Sequence, residues 1–152
     1  TYLGKCRLVF SGRDQTRGLD YDLKSSHHPQ WATIRLHLGL TPVRQAGQGL
    51  TLIDIKKAYV RTKNYTPSGN RVIIKLPVDA TFTDDSGISW RYMIVDSALY
   101  GQVNAGYLWQ QCLWKHMTNI GWTQHIDRCT WTKDGARAVI WTDDIILRGT
   151  QR

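Results

Sequence analysis

No apolar run in this chain approaches the ~20 residues that a membrane-spanning helix needs, so the sequence predicts no span. It shows no secretory leader, and its first residue is Thr1, as expected of a fragment or a processed chain. Cysteine is scarce. Cys6, Cys112 and Cys129 are odd in number and far apart, which argues against a disulfide framework. Their pattern favours a reducing compartment, cytoplasm or nucleus, with an organelle also compatible. His27, His28, His37, His116 and His125 show no zinc-ligand spacing with those cysteines and read as ordinary surface or core histidines. Repeats, linkers and low-complexity tracts are missing too. Acidic side chains number 12 against 20 Lys plus Arg, which leaves a formal charge of +8. That balance favours a polyanionic partner and salt-dependent binding, although composition is equally compatible with a basic protein that has none.

A chain of 152 residues is one domain's worth and is large enough for a proper core. Residues 2–10 alternate loosely around Leu3, Leu8, Val9 and Phe10 and predict a strand, and 11–30 is polar loop. Pro29 opens a helix in which Trp31, Ile34 and Leu38 recur at helical spacing, closed by Gly39 and Pro42. A glycine-bearing connector over 43–49 leads to a strand and turn within 50–60, and 61–70 is a polar loop. Runs at 72–77 and 90–97 predict strands on either side of a turn at Asp84-Asp85-Ser86-Gly87. A helix is expected from Asn104 to about Asn119, with Leu108, Cys112, Leu113, Met117 and Ile120 as its apolar stripe and Gly121 as its stop. Strands at 130–132 and 138–141 flank Lys133-Asp134-Gly135, a strong hairpin signal. The result is one α+β unit over 1–152, an antiparallel sheet with packed helices. Seven Trp and seven Tyr offer stacking faces for bases, but most fall in apolar periodic stretches and are expected in the core.

Three carboxylates stand out. Asp54 interrupts the apolar run Leu52-Ile53-Asp54-Ile55, and Asp143-Asp144 separates Ile140-Trp141 from Ile145-Ile146-Leu147. A short carboxylate fits poorly on a half-buried pleated surface. A paired Asp reads as the tip of a tight hairpin, because Asp tolerates left-handed backbone angles. If the first strand lies beside that hairpin, the three groups converge and repel unless divalent cations neutralise them. Oxygen-rich clusters suit Mg²⁺, and two ions ~3.5–4 Å apart clamp the attacking and leaving oxygens of phosphoryl transfer. Taken alone, a solvated turn and an edge-strand Asp explain the same residues.

The order of the surrounding motifs resembles the reverse transcriptase domain of copia-type LTR retrotransposons. Lys5-Cys6-Arg7-Leu8-Val9-Phe10-Ser11-Gly12, with Gln15, Gly18 and Asp20-Tyr21-Asp22, is similar to that family's Lys-Ala-Arg-Leu-Val-Ala-Arg-Gly block and its Asp-Tyr-Asp. Thr33-Ile34-Arg35 matches Thr-Ile-Arg, and Asp54-Ile55-Lys56-Lys57-Ala58-Tyr59 resembles the first palm motif. Ala98-Leu99-Tyr100-Gly101 with Ala105-Gly106 and Leu108-Trp109 resembles the second. Asp127-Arg128-Cys129 and Trp141-Thr142-Asp143-Asp144-Ile145 stand for Asp-Pro-Cys and Tyr-Val-Asp-Asp-Ile. Nearly the whole chain is covered.

The resemblance implies partial fingers and palm, truncated at both ends, with no thumb and no RNase H. It implies an RNA-directed DNA polymerase acting on an RNA or DNA primer–template and dNTP. Asp54 and Asp143 would bridge two Mg²⁺ (or Mn²⁺) ions, Asp144 would support them, and the Ile55 carbonyl would add a metal oxygen. Tyr59 would exclude a ribose 2′-hydroxyl, Tyr100 and Gly101 would approach the template–nucleotide pair, and Lys5 and Arg7 would reach the triphosphate. Packed or solvated side chains account for each of these on pattern alone. Gln102-Val103-Asn104 replaces the usual Leu-Lys-Gln, and Tyr107 stands where a basic residue is common, so two positive groups are missing. Trp141-Thr142 replaces Tyr-Val. The piece alone is expected to be inactive, since a ~1 Å misplacement costs roughly a hundredfold in rate. The alternative is a non-catalytic domesticated subunit, a basic structural or RNA-binding component among the protein subunits of a larger complex.

Overall fold

A computed structural model of the chain describes residues 9–39, 48–64 and 66–150. In chain order its main elements are α1 (Trp31–Gly39), β1 (Gln48–Asp54), β2 (Val72–Lys75), β3 (Phe82–Thr83), β4 (Ser89–Trp90) and β5 (Tyr92–Val95). There follow α2 (Ala105–Asn119), β6 (Thr123–Gln124), β7 (Thr130–Lys133), β8 (Ala136–Trp141) and β9 (Asp144–Thr150). Short 3-10 turns occupy Gly12–Asp14 and Tyr59–Arg61. It is a mixed helix and strand fold with antiparallel pairing throughout its sheets. Among the described residues no helix is long and apolar enough to cross a membrane. The strand expected over 2–10 lies mostly outside the described residues, as does most of the connector at 43–49; Val9 and Phe10 are described and are not strand.

The described residues fall into two compact units. One takes the chain up to Lys24 together with Tyr59–Leu108, and the other takes Ser25–Ala58 and Trp109 onward. The second unit carries a five-stranded sheet in the order β1-β9-β8-β7-β6. Its central strand β8 buries Ala138, Val139 and Ile140 in succession. Consecutive strand residues point to opposite faces, so β8 is covered on both. The hairpin between β7 and β8 turns on Asp134 and Gly135, both at positive φ (48° and 80°), the backbone that a two-residue type I′ turn requires. Asp-Gly signals the hairpin for that reason.

Helix α2 stops where expected and by a definable device. Gly121 takes φ 86° and donates its N–H to Thr118 O, while Trp122 N–H donates to Met117 O. These two bonds are the Schellman pattern, which satisfies carbonyls the helix would otherwise orphan. Its buried side chains include Leu108, Trp109, Leu113 and Met117, but Cys112, expected among them, is exposed. Past Leu108 the buried apolar residues Trp109, Leu113 and Met117 follow one i, i+4 row, and Cys112 lies off that row on the Leu108 side.

Helix α1 departs from its expected stripe more sharply. Only Ile34 and His37 are buried, while Trp31 is 65% and Leu38 is 42% exposed. Of the seven Trp, Trp109 and Trp131 are buried, and Trp31, Trp90 and Trp141 are exposed, so the expectation that most are core is corrected. Trp31 instead meets Trp141 edge to face, 5.6 Å between ring centroids. The start of α1 is held from far away in sequence. Asp127 accepts the Thr33 hydroxyl at 2.6 Å and the Gln30 N–H at 3.4 Å through one oxygen, and the Cys129 N–H at 3.0 Å through the other. This links Thr33-Ile34-Arg35 to Asp127-Arg128-Cys129, two blocks otherwise joined only by the family pattern.

Burial and the nearby Asp127 carboxylate push the Cys129 thiol up to about 12. Only the thiolate is a nucleophile. A maleimide reagent at neutral pH is therefore expected to label Cys112 in the folded protein and to reach Cys129 only after denaturation. Peptide mapping checks this, and prompt labelling of Cys129 in the native state would contradict the burial.

The first unit holds two small ladders, β2 with β5 and β3 with β4. Ala98, Ala105 and Leu108 form its buried cluster, with Tyr59 and Tyr107 packed on it.

Candidate functional site

The two strands that matter most are joined by register. β1 pairs antiparallel with β9, and Asp54 stands directly opposite Asp144, with Leu52 opposite Ile146 and Leu50 opposite Arg148. On the other side of β9, Asp144 faces Trp141 of β8. Direct cross-strand partners share a sheet face with Cβ atoms ~4.5–5.5 Å apart. Two segments nearly ninety residues apart thus place two exposed carboxylates side by side at the end of the sheet.

Asp143 sits in the turn just before Asp144 and is half-buried. The sequence predicts Asp-Asp at the hairpin tip, with Asp at a left-handed angle. The tip is Thr142-Asp143, and Thr142 carries the positive φ of 57°, while Asp144 already belongs to β9. A two-residue turn with positive φ at its first central position is type II′, where glycine is usual. A β-branched residue there is strained by roughly 1–3 kcal/mol. Both turn carbonyls are held: Thr142 O accepts the Trp109 indole N–H at 2.7 Å, and Asp143 O accepts the Ile55 N–H at 2.9 Å. Trp109 comes from α2 and Ile55 directly follows Asp54, so the turn is fixed to the helix and to β1 together. The strained turn persists because its surroundings determine it.

Among the described residues no three His, Cys, Asp or Glu side chains form a group able to hold a metal ion. Mg²⁺, however, usually keeps several waters and takes one or two carboxylates plus substrate phosphates. The paired Asp54 and Asp144 would supply the one or two carboxylates of that mode of binding. Beside them a cleft of about 290 Å³ is lined by Ile34, Leu52, Val139, Trp141, Asp144 and Ile146. Trp31, Trp141 and His28 form an exposed aromatic rim in the same unit, with His28 and Trp141 rings 6.0 Å apart.

The other sequence-predicted residues lie in the first unit or outside the described residues. Lys5 and Arg7 are among the latter. Tyr59 and Tyr100 meet edge to face at 5.0 Å. Gly101 has φ 86°, and a Cβ there would collide with the carbonyl oxygen of Phe10. The Phe10 N–H donates to Tyr100 O at 2.7 Å. Its glycine is thus demanded by close backbone packing.

Several structural residues carried no sequence signal of their role. Gln102 is buried and its amide donates to Asn64 Oδ1 at 2.6 Å and Asn104 Oδ1 at 2.8 Å. Its own Oε1 accepts the Leu99 N–H at 3.3 Å. The departure from Leu-Lys-Gln places the neutral amides of Gln102 and Asn104 in a buried network, with the half-buried Val103 between them at the lysine position. Trp109 and Asp127 act over long sequence separations, which local pattern cannot report.

No curated protein and no solved structure matches the chain significantly. A family model described as reverse transcriptase (RNA-dependent DNA polymerase) matches residues 2–152. A match over all but the first residue leads to one conclusion: the chain belongs to the reverse transcriptase (RNA-dependent DNA polymerase) family.

Proposed function

We propose that the chain is the fingers and palm core of a copia-type retroelement reverse transcriptase, extending a primer on a nucleic-acid template by two-metal-ion nucleotidyl transfer. The carrying observation is the Asp54–Asp144 register, with Asp143 in the turn beside them. Family membership implies nucleic-acid substrates, and the +8 charge suits them.

The chemistry supplied by two bound Mg²⁺ or Mn²⁺ ions is Lewis-acid activation of the primer 3′-hydroxyl and stabilisation of the departing pyrophosphate. The chain's own part is to hold and orient. Asp54, Asp143 and Asp144 supply the anionic oxygens, with the Ile55 carbonyl as a further candidate. Ligands carried on paired strands stay closer to productive geometry than ligands on loops. The Trp109 and Ile55 hydrogen bonds keep the Asp143 turn from relaxing. Tyr59 carries the sugar-discriminating role, Tyr100 and Gly101 the template-facing one, and Lys5 and Arg7 the triphosphate contacts. The sheet-bearing unit reads as palm and the other as fingers. A reducing cytoplasm or nucleus fits the free thiols of Cys112 and Cys129.

A second reading, a non-catalytic structural or RNA-binding subunit, is favoured by the lack of a three-ligand metal group among the described residues. Mn²⁺ binding, followed by water-proton relaxation with primer–template and a dNTP present, separates the two. Outer-shell changes cost metal sites about 10–100-fold, so losing a direct ligand in Asp54→Asn is expected to weaken binding by more than roughly a hundredfold. Any primer extension by the parent is expected to vanish with it. Mn²⁺ binding unaltered by Asp54→Asn would rule the polymerase reading out in favour of the second.

A further inference from the structure

Beyond the carboxylates, the same sheet face carries a second charged feature. Arg137 of β8 and Arg148 of β9 are direct cross-strand partners. Their outer neighbours in the ladder are Thr132 on β7 and Leu50 on β1, neither of them acidic. Like charges directly opposite one another on a sheet are destabilising. Among the described residues neither guanidinium has a carboxylate partner. A third basic group joins them: the buried His37 of α1 feels both arginines, which, after burial itself, hold its imidazole below the usual histidine range. Arg137 and Arg148 therefore stand side by side with no carboxylate partner among the described residues, next to the His37 imidazole. Arg137 is exposed and Arg148 half-buried, so an external anion has access.

Position identifies that anion. The alternation of side chains puts Arg148 on the face of Asp144, four residues further along β9, or ~13 Å at ~3.3 Å per residue. A nucleic-acid strand rises ~3.4 Å per base, so the same span is about four base steps. Arginine's planar fork matches two phosphate oxygens at once. The geometry points to a backbone-phosphate site at Arg137 and Arg148 that holds the nucleic acid about four base steps from the reacting end. The inference rests on the reading of Asp54 and Asp144 as the reacting end, but its test needs neither metal nor turnover.

The test is the salt dependence of primer–template binding by the 152-residue chain, read by fluorescence anisotropy without divalent ions. Each phosphate contact contributes ~0.9 to the slope of log K against log salt. The Arg137→Gln/Arg148→Gln variant is expected to lower that slope by about 1, whereas Arg128→Gln, on the β6–β7 connection, leaves it near the parent's. One neutral methylphosphonate linkage four steps from the primer 3′ end is expected to weaken parent binding and to leave the double variant unaffected. A parent-like slope in the double variant, an equal fall with Arg128→Gln, or an effect independent of linkage position would each overturn the site. Asp54→Asn should keep the parent slope, so loss of catalysis and loss of this site are read separately.

Discussion

Gly101→Ala is expected to melt the first unit well before it tells anything about catalysis. Two costs act together at this position. An L-residue in left-handed backbone costs roughly 1–2 kcal/mol, and Gly101 stands at φ 86°. The added Cβ would also strike the Phe10 carbonyl oxygen and come within 2.8 Å of Val9 Cγ1. Relief requires moving backbone, which breaks the 2.7 Å bond from Phe10 N–H to Tyr100 O. Gly12 packs against the same place, so closely that a Cβ added there would stand 2.5 Å from Gly101 O, and retreat on that side is blocked as well. A loss above ~3 kcal/mol follows, among the larger single-site effects and traceable to backbone strain. At ~2–4 °C per kcal/mol for a chain of this size, the melting temperature should fall by about 6 °C or more. Calorimetry checks it. A variant within ~1 kcal/mol of the parent would mean that the segment before Gly12 does not pack on Gly101 as described. Backbone packing would then no longer account for the glycine at position 101.

What the sequence disclosed was whatever local chemistry governs. Asp134-Gly135 announces its turn because only a few residue types accept two consecutive positive φ angles. Gly121 announces the end of α2 for a similar reason. Asp54 and the Asp143-Asp144 pair were visible as carboxylates placed where strands disfavour them. Their pairing was not. Register is set by which faces the core buries, and a slip of one residue would have put Asp54 on the opposite face from Asp144. The hairpin tip was misread by one residue, since propensity favours Asp at left-handed angles and the tertiary contact from Trp109 overrides it at Thr142. Trp31 was misplaced for a related reason: α1 turns His37 inward, and the ring at the helix start is left against Trp141 at the surface. The arginine pair was beyond local reading altogether, because Arg137 and Arg148 become neighbours only once β8 and β9 are aligned.

Trp109→Ala should produce the other large effect, and its size can be divided. The ring is 5% exposed, and truncating a buried Trp typically costs about 3–5 kcal/mol through lost burial and the cavity left behind. Part of this belongs to packing and part to the bond on Thr142 O. Trp109→Phe keeps most of the ring and removes the donor, leaving a carbonyl unsatisfied at a cost of about 1–3 kcal/mol. Thr142→Gly removes the steric reason that the turn needs holding, because glycine accepts φ 57° freely. If the indole is what keeps Thr142 in its strained backbone, the two substitutions cannot be independent. A double-mutant cycle on chemical denaturation should then return a coupling of ~0.5–3 kcal/mol, with Trp109→Phe costing less in the Thr142→Gly background than in the parent. Zero coupling would show that the bond accompanies the turn without enforcing it. Under the proposed function the same pair of variants reaches the chemistry, since the turn carries Asp143 and leads into Asp144. Trp109→Phe should weaken Mn²⁺ binding by the 10–100-fold expected when a residue orienting a ligand is lost, less than the loss of Asp54 itself.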